Sequence, residues 1–150
     1  MIGIIDYNMG NLASVYNACK LIDADATIVK NPEDLKKFNR VILPGVGAYK
    51  DAMEHLIQTG MNEAVYEFAK TGKPMIGICL GMQLLFESSQ EFGHSDGLGL
   101  IDGHVIKFDK SKMHEDFKIP HMGWNTIKNK ENPLFEGLKD PYLYFVHSYH

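Results

Sequence analysis

Short apolar runs alternate with longer amphipathic segments along the first part of the chain. The runs are mostly apolar, without regular alternation of polar residues, and lie at residues 2–6 (IGIID), 26–29 (ATIV), 40–44 (RVILP) and 74–79 (PMIGIC). Segments with apolar residues at helical spacing accompany them, at residues 11–22, 48–70 with a break near Gly60, and 80–89. Continuous apolar runs are typical of strands covered on both faces, as in parallel sheets. The pattern therefore predicts a three-layer α/β fold with helices on both faces of a mostly parallel sheet.

The composition of the sequence changes after Glu91. The stretch GHSDGLGLIDG is rich in turn residues, and polar, proline-containing loops follow it. Three short strand-like pieces lie among these loops, at residues 104–108, 123–127 and 142–147. They predict an added antiparallel portion. Because the chain has no internal repeat, low-complexity tract or linker, we expect a single domain over residues 1–150.

Composition and charge exclude several classes of function. The 150 residues are 45% hydrophobic and 23% charged, enough to bury a core. A net charge of -4 without a basic cluster argues against nucleic acid as a partner. The longest mostly apolar window, residues 74–86, is too short to cross a bilayer, and no basic signal-peptide start follows Met1. With no CxxC at Cys19 or Cys79, we expect a cytoplasmic protein with reduced thiols.

Cys79 lies between Gly77 and Gly81, where a predicted strand meets a predicted helix. This is the spacing of a nucleophile elbow with sulfur in place of a serine oxygen, and the tight turn has no room for flanking side chains. A helix N-terminus favours the thiolate, and the N–H of Leu80 points to where an acyl oxyanion would form. Cys79 is therefore the candidate nucleophile. The alternative is an inert, buried cysteine, which is how we interpret Cys19.

A second glycine-rich turn, formed by Gly45, Val46 and Gly47, follows the apolar run at 40–44. Such a turn can expose backbone N–H groups and so supply the other half of an oxyanion hole. The G-x-G-x-x-G spacing fails at Lys50, and there is no P-loop, so we expect no nucleotide cofactor, and no other cofactor is predicted. A metal site at His114 and His121 has no HExxH motif or Cys/His cluster to support it.

Six strings together resemble a known family. They are DYNMGNLASV, LPGVGAYKDAM, GKPMIGICLGMQLLFESS, GLGLIDGHV, PHMGWN and YFVHSY, in this order along the whole chain. The set is similar to the glutaminase subunits of imidazole glycerol phosphate synthases, which are class I (triad) glutamine amidotransferases of histidine biosynthesis. The resemblance implies that Cys79 attacks the side-chain amide of glutamine, releases ammonia and leaves a thioester that water hydrolyses to glutamate.

The same resemblance implies roles for further residues. Gln83, on the same helical face as Cys79, helps to hold the substrate glutamine; its alternative is a solvent-facing helix residue. Gly45, Val46 and Gly47 form the oxyanion strand, where a peptide flips before an N–H can donate. The segment that lies against bound glutamine comprises His147, Ser148 and Tyr149.

The chain departs from the family in its general base. The family uses a histidine in an HPE-like motif near a glutamate, and none of the seven histidines here has that context. We assign no base, and we expect the catalytic histidine and glutamate to belong to a missing C-terminal quarter. Without them we expect these 150 residues alone to be nearly inactive.

A partner is implied because ammonia released into water would be protonated and lost as a nucleophile. The resemblance implies a (β/α)8-barrel cyclase that receives ammonia through a channel. The matched interface positions are Asn8, Met9, Gly10, Asn11, Met122, Trp124 and Tyr144. Trp124 would be an aromatic anchor, with a core tryptophan as the alternative. Residues 6–11 could equally be a strand-to-helix turn with Asn11 as helix N-cap.

Three other functions stay open from the sequence. A paralogous glutaminase could serve a different synthase. A non-catalytic subunit could retain the same fold. Another cysteine-elbow hydrolase would share the turn at Cys79 but would not depend on glutamine.

Overall fold

A four-stranded parallel sheet organises the first part of the chain in this computed structural model, which describes residues 1–128 and 132–150. Its strands are β1 (Ile2–Ile5), β2 (Ala26–Val29), β3 (Arg40–Leu43) and β4 (Met75–Gly77), in the spatial order β2-β1-β3-β4. In the register, Ile4 lies beside Ile28 on one side and Ile42 on the other. The predicted α/β class with a mostly parallel sheet is confirmed.

Three helices connect these strands: α1 (Leu12–Leu21), α2 (Tyr49–Thr59) and α3 (Met61–Lys70). The Asn11 side chain caps α1 by accepting a hydrogen bond from the N–H of Ser14 at 3.2 Å. Gly60, with φ of 70°, ends α2 and begins α3. The left-handed backbone at this position is one that glycine adopts without strain, so the break predicted near Gly60 is confirmed.

The segment after the elbow differs from the prediction. Helix α4 covers only Leu80–Gln83, and Phe86–Ser89 forms strand β5 instead of the second half of a helix. β5 pairs with β6 (Ser95–Asp96) in antiparallel and with β7 (Ile101–Val105) in parallel orientation. The prediction of one helix over residues 80–89 was wrong because these pairings, which sequence periodicity does not report, override a moderate helical preference. Strand β7 also starts before the predicted strand at 104–108.

The last part of the chain forms an antiparallel hairpin of β8 (His121–Thr126) and β9 (Tyr142–His147). His121 lies opposite His147, and Trp124 lies opposite Tyr144. An isolated antiparallel bridge joins Lys107 to Tyr149. The predicted antiparallel portion is confirmed for the pieces at 123–127 and 142–147, whereas the piece at 104–108 overlaps β7, which pairs with β5 in parallel.

Two compact units make up the chain, Met1–Ile106 and Lys107–His150. Every buried hydrophobic side chain in the described residues lies between Ile4 and Val105, that is, in the first unit. The single domain expected from the sequence remains a prediction. Short 3-10 helices occur at Pro32–Lys37, Lys110–Lys112 and Pro133–Phe135. Among the described residues, no helix combines the length and apolarity that a bilayer crossing needs.

Candidate active site

Three loops of the first unit follow the carboxyl ends of neighbouring parallel strands, where α/β sheets bind their ligands. They are residues 6–11 after β1, 44–48 after β3, and 78–79 after β4. The Tyr7 hydroxyl donates a hydrogen bond to the Pro44 carbonyl at 2.9 Å. A Cβ on Gly47 would lie 3.1 Å from Cε of Met9. The loop at 6–11 is therefore packed against the glycine-rich turn at 44–48.

Cys79 lies on a strained turn between β4 and α4. Its backbone has φ of 55° and ψ of -117°, a conformation that side chains disfavour and that is concentrated at functional sites. Before it, the Ile78 N–H donates to the Leu43 carbonyl at 3.0 Å; after it, the Cys79 carbonyl accepts from the N–H of Met82 at 3.0 Å. The thiol is exposed, whereas the alternative of an inert core cysteine requires burial. Cys19, by contrast, is buried in α1 as predicted.

Glycines around the elbow leave no room for side chains. A Cβ on Gly77 would lie 2.6 Å from the Met82 nitrogen, and one on Gly81 would lie 2.8 Å from the Leu43 carbonyl carbon. A Cβ on Gly45 would lie 2.5 Å from the Gly81 nitrogen. These contacts are closer than real Cβ atoms make, so the glycines are steric requirements. They also bring the turn at Gly45–Gly47 against the elbow, which is the adjacency expected from the sequence.

Backbone donors are available at both turns. Among the described residues, none accepts a hydrogen bond from the N–H groups of Val46, Gly47 or Leu80. Gly47 has φ of 91°, which only glycine adopts freely. The helix dipole is smaller than the sequence suggested, because α4 has a single turn of four residues. The predicted oxyanion donors therefore depend on these individual N–H groups rather than on a long helix.

Gln83 is half-buried at the end of α4, and its N–H donates to the Cys79 carbonyl at 3.2 Å. Its position one turn after the cysteine agrees with the expected spacing. A fully solvent-facing residue, which was the alternative, does not describe it.

Glu91 was missed by the sequence reasoning. The N-cap of helix α2 is Ala48, which supplies no side-chain hydrogen bond, and the Glu91 carboxylate accepts the N–H of Tyr49 at 2.7 Å. The Glu91 N–H in turn donates to Oγ of Ser89 at 3.1 Å. Because Tyr49 comes two residues after Gly47, Glu91 anchors the chain just beyond the predicted oxyanion turn. No local sequence signal links residues 42 positions apart.

The Tyr49 side chain is buried, and its hydroxyl has no hydrogen-bond partner among the described residues. Burial, reinforced by the negative charge of Asp96, raises the pKa of Tyr49 to about 12. Burial likewise raises the pKa of Tyr7 well above its ordinary value. Both phenols therefore stay neutral at physiological pH.

The predicted interface residues at 8–11 form the turn after β1. Asp6, nearly buried, accepts the N–H of Asn8 at 3.0 Å and lies 3.5 Å from Nζ of Lys30. Asn8 has φ of 69°, and both Asn8 and Asn11 are exposed, while Met9 and Gly10 are half-buried. The turn with Asn11 as N-cap is therefore present, and its exposed residues are compatible with an interface as well.

In the second unit, one face of the β8–β9 hairpin is exposed and apolar. Met122, Trp124 and Tyr144 are 60%, 67% and 52% exposed. The rings of Trp124 and Tyr144 make an edge contact with centroids 5.5 Å apart. Because strand side chains alternate between faces, Tyr142 and Val146 lie on this same face. We call these five residues the aromatic face; the alternative of a core tryptophan at Trp124 is wrong, since that side chain is mostly exposed.

The other face of the hairpin carries His147, the first residue of the predicted segment at 147–149. Nε2 of His147 lies 3.0 Å from Nδ1 of His121, and Nδ1 of His147 lies 2.8 Å from the Tyr149 carbonyl oxygen. The Ser148 carbonyl accepts the N–H of Phe108 at 3.1 Å. His147, Ser148 and Tyr149 are thus ordered within the second unit, while Cys79, Gly45, Val46, Gly47, Leu80 and Gln83 belong to the first.

His114 and His121 contact different partners in the structure. His114 contacts Asp116, and His121 contacts His147 and Asn125. Across the described residues, no group of three or more His, Cys, Asp or Glu side chains is arranged to hold a metal ion.

Comparison with known proteins gives a consistent result. Residues 3–150 match the class-I glutamine amidotransferase family. The imidazole glycerol phosphate synthase subunit HisH of Sulfurimonas denitrificans is 62% identical over 100% of this chain and 73% of its own length. The same subunit of Wolinella succinogenes is 60% identical over 100% of this chain and 74% of its own. A crystal structure of a glutamine amidotransferase shares the fold, with a TM-score of 0.73 over 97% of this chain and 70% of that one, at 18% identity. This chain belongs to the class-I glutamine amidotransferase family.

Proposed function

We propose that the chain is the glutaminase subunit of an imidazole glycerol phosphate synthase, which hydrolyses glutamine and passes the ammonia to a cyclase in histidine biosynthesis. The relatives with 60% and 62% identity bear the name of this subunit. The observation that carries the chemistry is the exposed thiol of Cys79 on a strained turn, with Gly45 packed against that turn.

The reaction begins when the Cys79 thiolate attacks the carboxamide carbon of glutamine. The carbonyl oxygen becomes an oxyanion, for which the N–H groups of Leu80 and of the turn Gly45–Gly47 are the proposed donors. The carbon–nitrogen bond breaks, the nitrogen takes up a proton and leaves as ammonia, and a thioester remains. Water then attacks the thioester, glutamate leaves, and the thiol is restored. We assign none of the chain's histidines as the general base for these proton transfers.

Substrate binding is proposed for Gln83 and for the segment His147, Ser148 and Tyr149. The support is their match to the family motifs, together with the half-buried position of Gln83 beside the elbow. The proposed location is the cytoplasm, where the thiol of Cys79 stays reduced.

The cyclase partner, a (β/α)8 barrel, is proposed to dock on the aromatic face and on residues Asn8, Met9, Gly10 and Asn11. Exposed tryptophan and tyrosine side chains in one patch are typical anchors of protein interfaces. A synthase interface also keeps ammonia away from water, where it would be protonated.

The decisive experiment replaces Cys79 by Ala in the assembled synthase. Glutamine-dependent synthesis should fall by orders of magnitude, because the nucleophile is absent. Synthesis supported by added ammonium salt should remain, because the cyclase still receives ammonia from solution. Cys19→Ala is the matched control, and it should retain both activities. If Cys79→Ala keeps its glutamine-dependent rate, the proposed function is wrong.

A further inference from the structure

We propose that His121 is a positioning residue that fixes the Ser148–Tyr149 backbone by way of His147; this rests on the proposed role of that segment in glutamine binding. His121 and His147 are directly paired across β8 and β9. None of the functional roles assigned above includes His121 or its neighbour Asn125.

A continuous set of hydrogen bonds runs across this face of the hairpin. Nδ2 of Asn125 lies 2.8 Å from Nε2 of His121, and Nδ1 of His121 lies 3.0 Å from Nε2 of His147. Nδ1 of His147 lies 2.8 Å from the Tyr149 carbonyl oxygen. Every ring nitrogen of both histidines thus has one partner.

The chemistry of the last partner sets the direction of the whole chain of bonds. A carbonyl oxygen only accepts, so Nδ1 of His147 carries a proton and donates it to Tyr149. A neutral His147 then accepts at Nε2, which requires His121 to donate from Nδ1. His121 accepts in turn at Nε2 from the Asn125 amide. In this arrangement of two neutral imidazoles, each ring carries its proton on Nδ1, because of the partner that its neighbour offers.

Aromatic packing holds the two rings in place. Phe145 stacks on His121 with centroids 5.0 Å apart, and Phe108 contacts His147 at 5.0 Å. Phe108 also stacks on His150 at 4.8 Å. The hydrogen-bonded rings are consequently restrained in orientation as well as in tautomer.

The Ser148–Tyr149 backbone is held from two sides. Its first restraint is main-chain pairing, through the Phe108 N–H to the Ser148 carbonyl at 3.1 Å and the bridge of Lys107 with Tyr149. The second is the bond from His147 to the Tyr149 carbonyl. Because a hydrogen bond from His121 to Nε2 of His147 favours the tautomer with its proton on Nδ1, His121 strengthens the second restraint without touching Tyr149.

Neither imidazole of this pair is oriented by a carboxylate in the described residues, whereas His94, His104 and His114 each lie within ion-pairing distance of one. The titratable residues on the neighbouring segment and at the strand end are Lys107, Asp109, Tyr149 and His150. The tautomers of His121 and His147 are therefore set by neutral partners, which makes them observable as a spectroscopic signature.

The first test is nitrogen-15 NMR of the imidazoles in the synthase assembled with a histidine-labelled glutaminase subunit. At neutral pH, His121 and His147 should each show a proton on Nδ1 and an unprotonated Nε2, unlike an unconstrained neutral histidine, whose proton prefers Nε2. His121→Phe and His147→Phe assign the signals. A proton on Nε2 of either ring overturns the proposal.

The second test compares His121→Phe with His121→Gln in the same complex. Phenylalanine keeps the ring packing and removes the hydrogen bonds, so KM for glutamine should rise about three- to tenfold with a smaller change in kcat, the range expected for one net hydrogen bond. The side-chain amide in His121→Gln offers both a donor and an acceptor. The KM of this variant for glutamine should therefore lie between those of the wild type and His121→Phe. His114→Phe, an exposed histidine of the same unit, is the matched control.

Ammonia-dependent synthesis should be unchanged in all three variants, which shows that each complex is folded and assembled. If His121→Phe and His114→Phe have the same KM for glutamine, His121 is not a positioning residue and the inference is overturned. If instead Cys79→Ala retains glutamine turnover, the proposed function fails, and the NMR tautomers still decide whether the hydrogen-bond chain exists.

Discussion

The elbow of the first unit and the hairpin of the second hold their functional groups by different means. At the elbow, backbone atoms approach one another so closely that Gly45, Gly77 and Gly81 have no space for a Cβ. At the hairpin, side chains at 60% and 67% exposure project from an ordinary antiparallel ladder. The elbow therefore depends on glycines, which have no side chain, whereas the hairpin depends on the side chains that it exposes. Adding a side chain at the elbow should therefore cause a large loss of stability, whereas changing an exposed side chain of the hairpin should have a smaller effect.

The largest effect is expected for Gly81→Ala. The new methyl group would overlap the Leu43 carbonyl, and backbone cannot move aside cheaply, so the free energy of unfolding should fall by about 3 kcal/mol or more. Urea unfolding of the purified chain measures it. Gly72→Ala is the control, since Gly72 has φ of 70° but no atom within 4 Å of an added Cβ, and should cost about 1 to 2 kcal/mol. Equal losses in the two variants would show that the close approach at the elbow is unimportant.

A smaller effect, on binding alone, is expected for Trp124→Ala. Removing an interface anchor typically costs about 2 kcal/mol, so Kd for the cyclase should rise about 30-fold. Because Trp124 is 67% exposed, the urea midpoint of the isolated chain should stay the same. Calorimetric titration with the cyclase measures the affinity. Phe117→Ala, which removes another exposed ring of the second unit, should leave Kd unchanged, and a similar loss in both variants would contradict the docking role of the aromatic face.

The smallest effect at neutral pH is expected for Tyr49→Phe, which removes a buried hydroxyl that has no partner among the described residues. Stability at pH 7 should be unchanged or higher by up to about 1 kcal/mol. At alkaline pH the stabilities of the wild type and of Tyr49→Phe should diverge. The pKa of Tyr49 is raised from 10.0 to about 12, so between these values the unfolded chain loses the phenolic proton while the folded chain keeps it. Wild-type stability therefore falls as pH rises through this window.

Tyr49→Phe should fall less steeply over the same window, as measured by urea midpoints at a series of pH values. Tyr142→Phe is the control, because that phenol is 60% exposed in the hairpin. An equal slope for Tyr49→Phe and the wild type would show that the Tyr49 hydroxyl is solvated. Among the described residues, buried side chains occur in the first unit alone, so a loss of stability from this cause is expected in the first unit.

Much of the fold was predictable because it depends on local periodicity. The apolar runs at 2–6, 26–29 and 40–44 became β1, β2 and β3, and glycine at position 60 divided the helical segment. The wrong prediction of a helix over residues 80–89 also has a physical reason. Phe86–Ser89 is a strand because residues 95–105 pair with it, and that pairing depends on contacts remote along the sequence.

The candidate site divides in the same way. Cys79 and its flanking glycines could be found from spacing, because a tight turn imposes its composition on adjacent residues. Glu91 could not be found, since its contact with Tyr49 follows from the packing of distant segments. Tyr142 and Val146 could be assigned to the aromatic face only from the strand register, which the amino-acid sequence alone does not define.

The amino-acid sequence by itself determined the strand and helix order, the position of the thiol and the family, because each is encoded in residues that are neighbours along the chain or in motifs of fixed spacing. The tertiary structure decided which groups meet: the Gly45 turn against the elbow, Glu91 at the start of α2, and His121 opposite His147. The physical reason is that these contacts form between segments far apart in sequence, and their energy depends on distance and direction in space rather than on residue order.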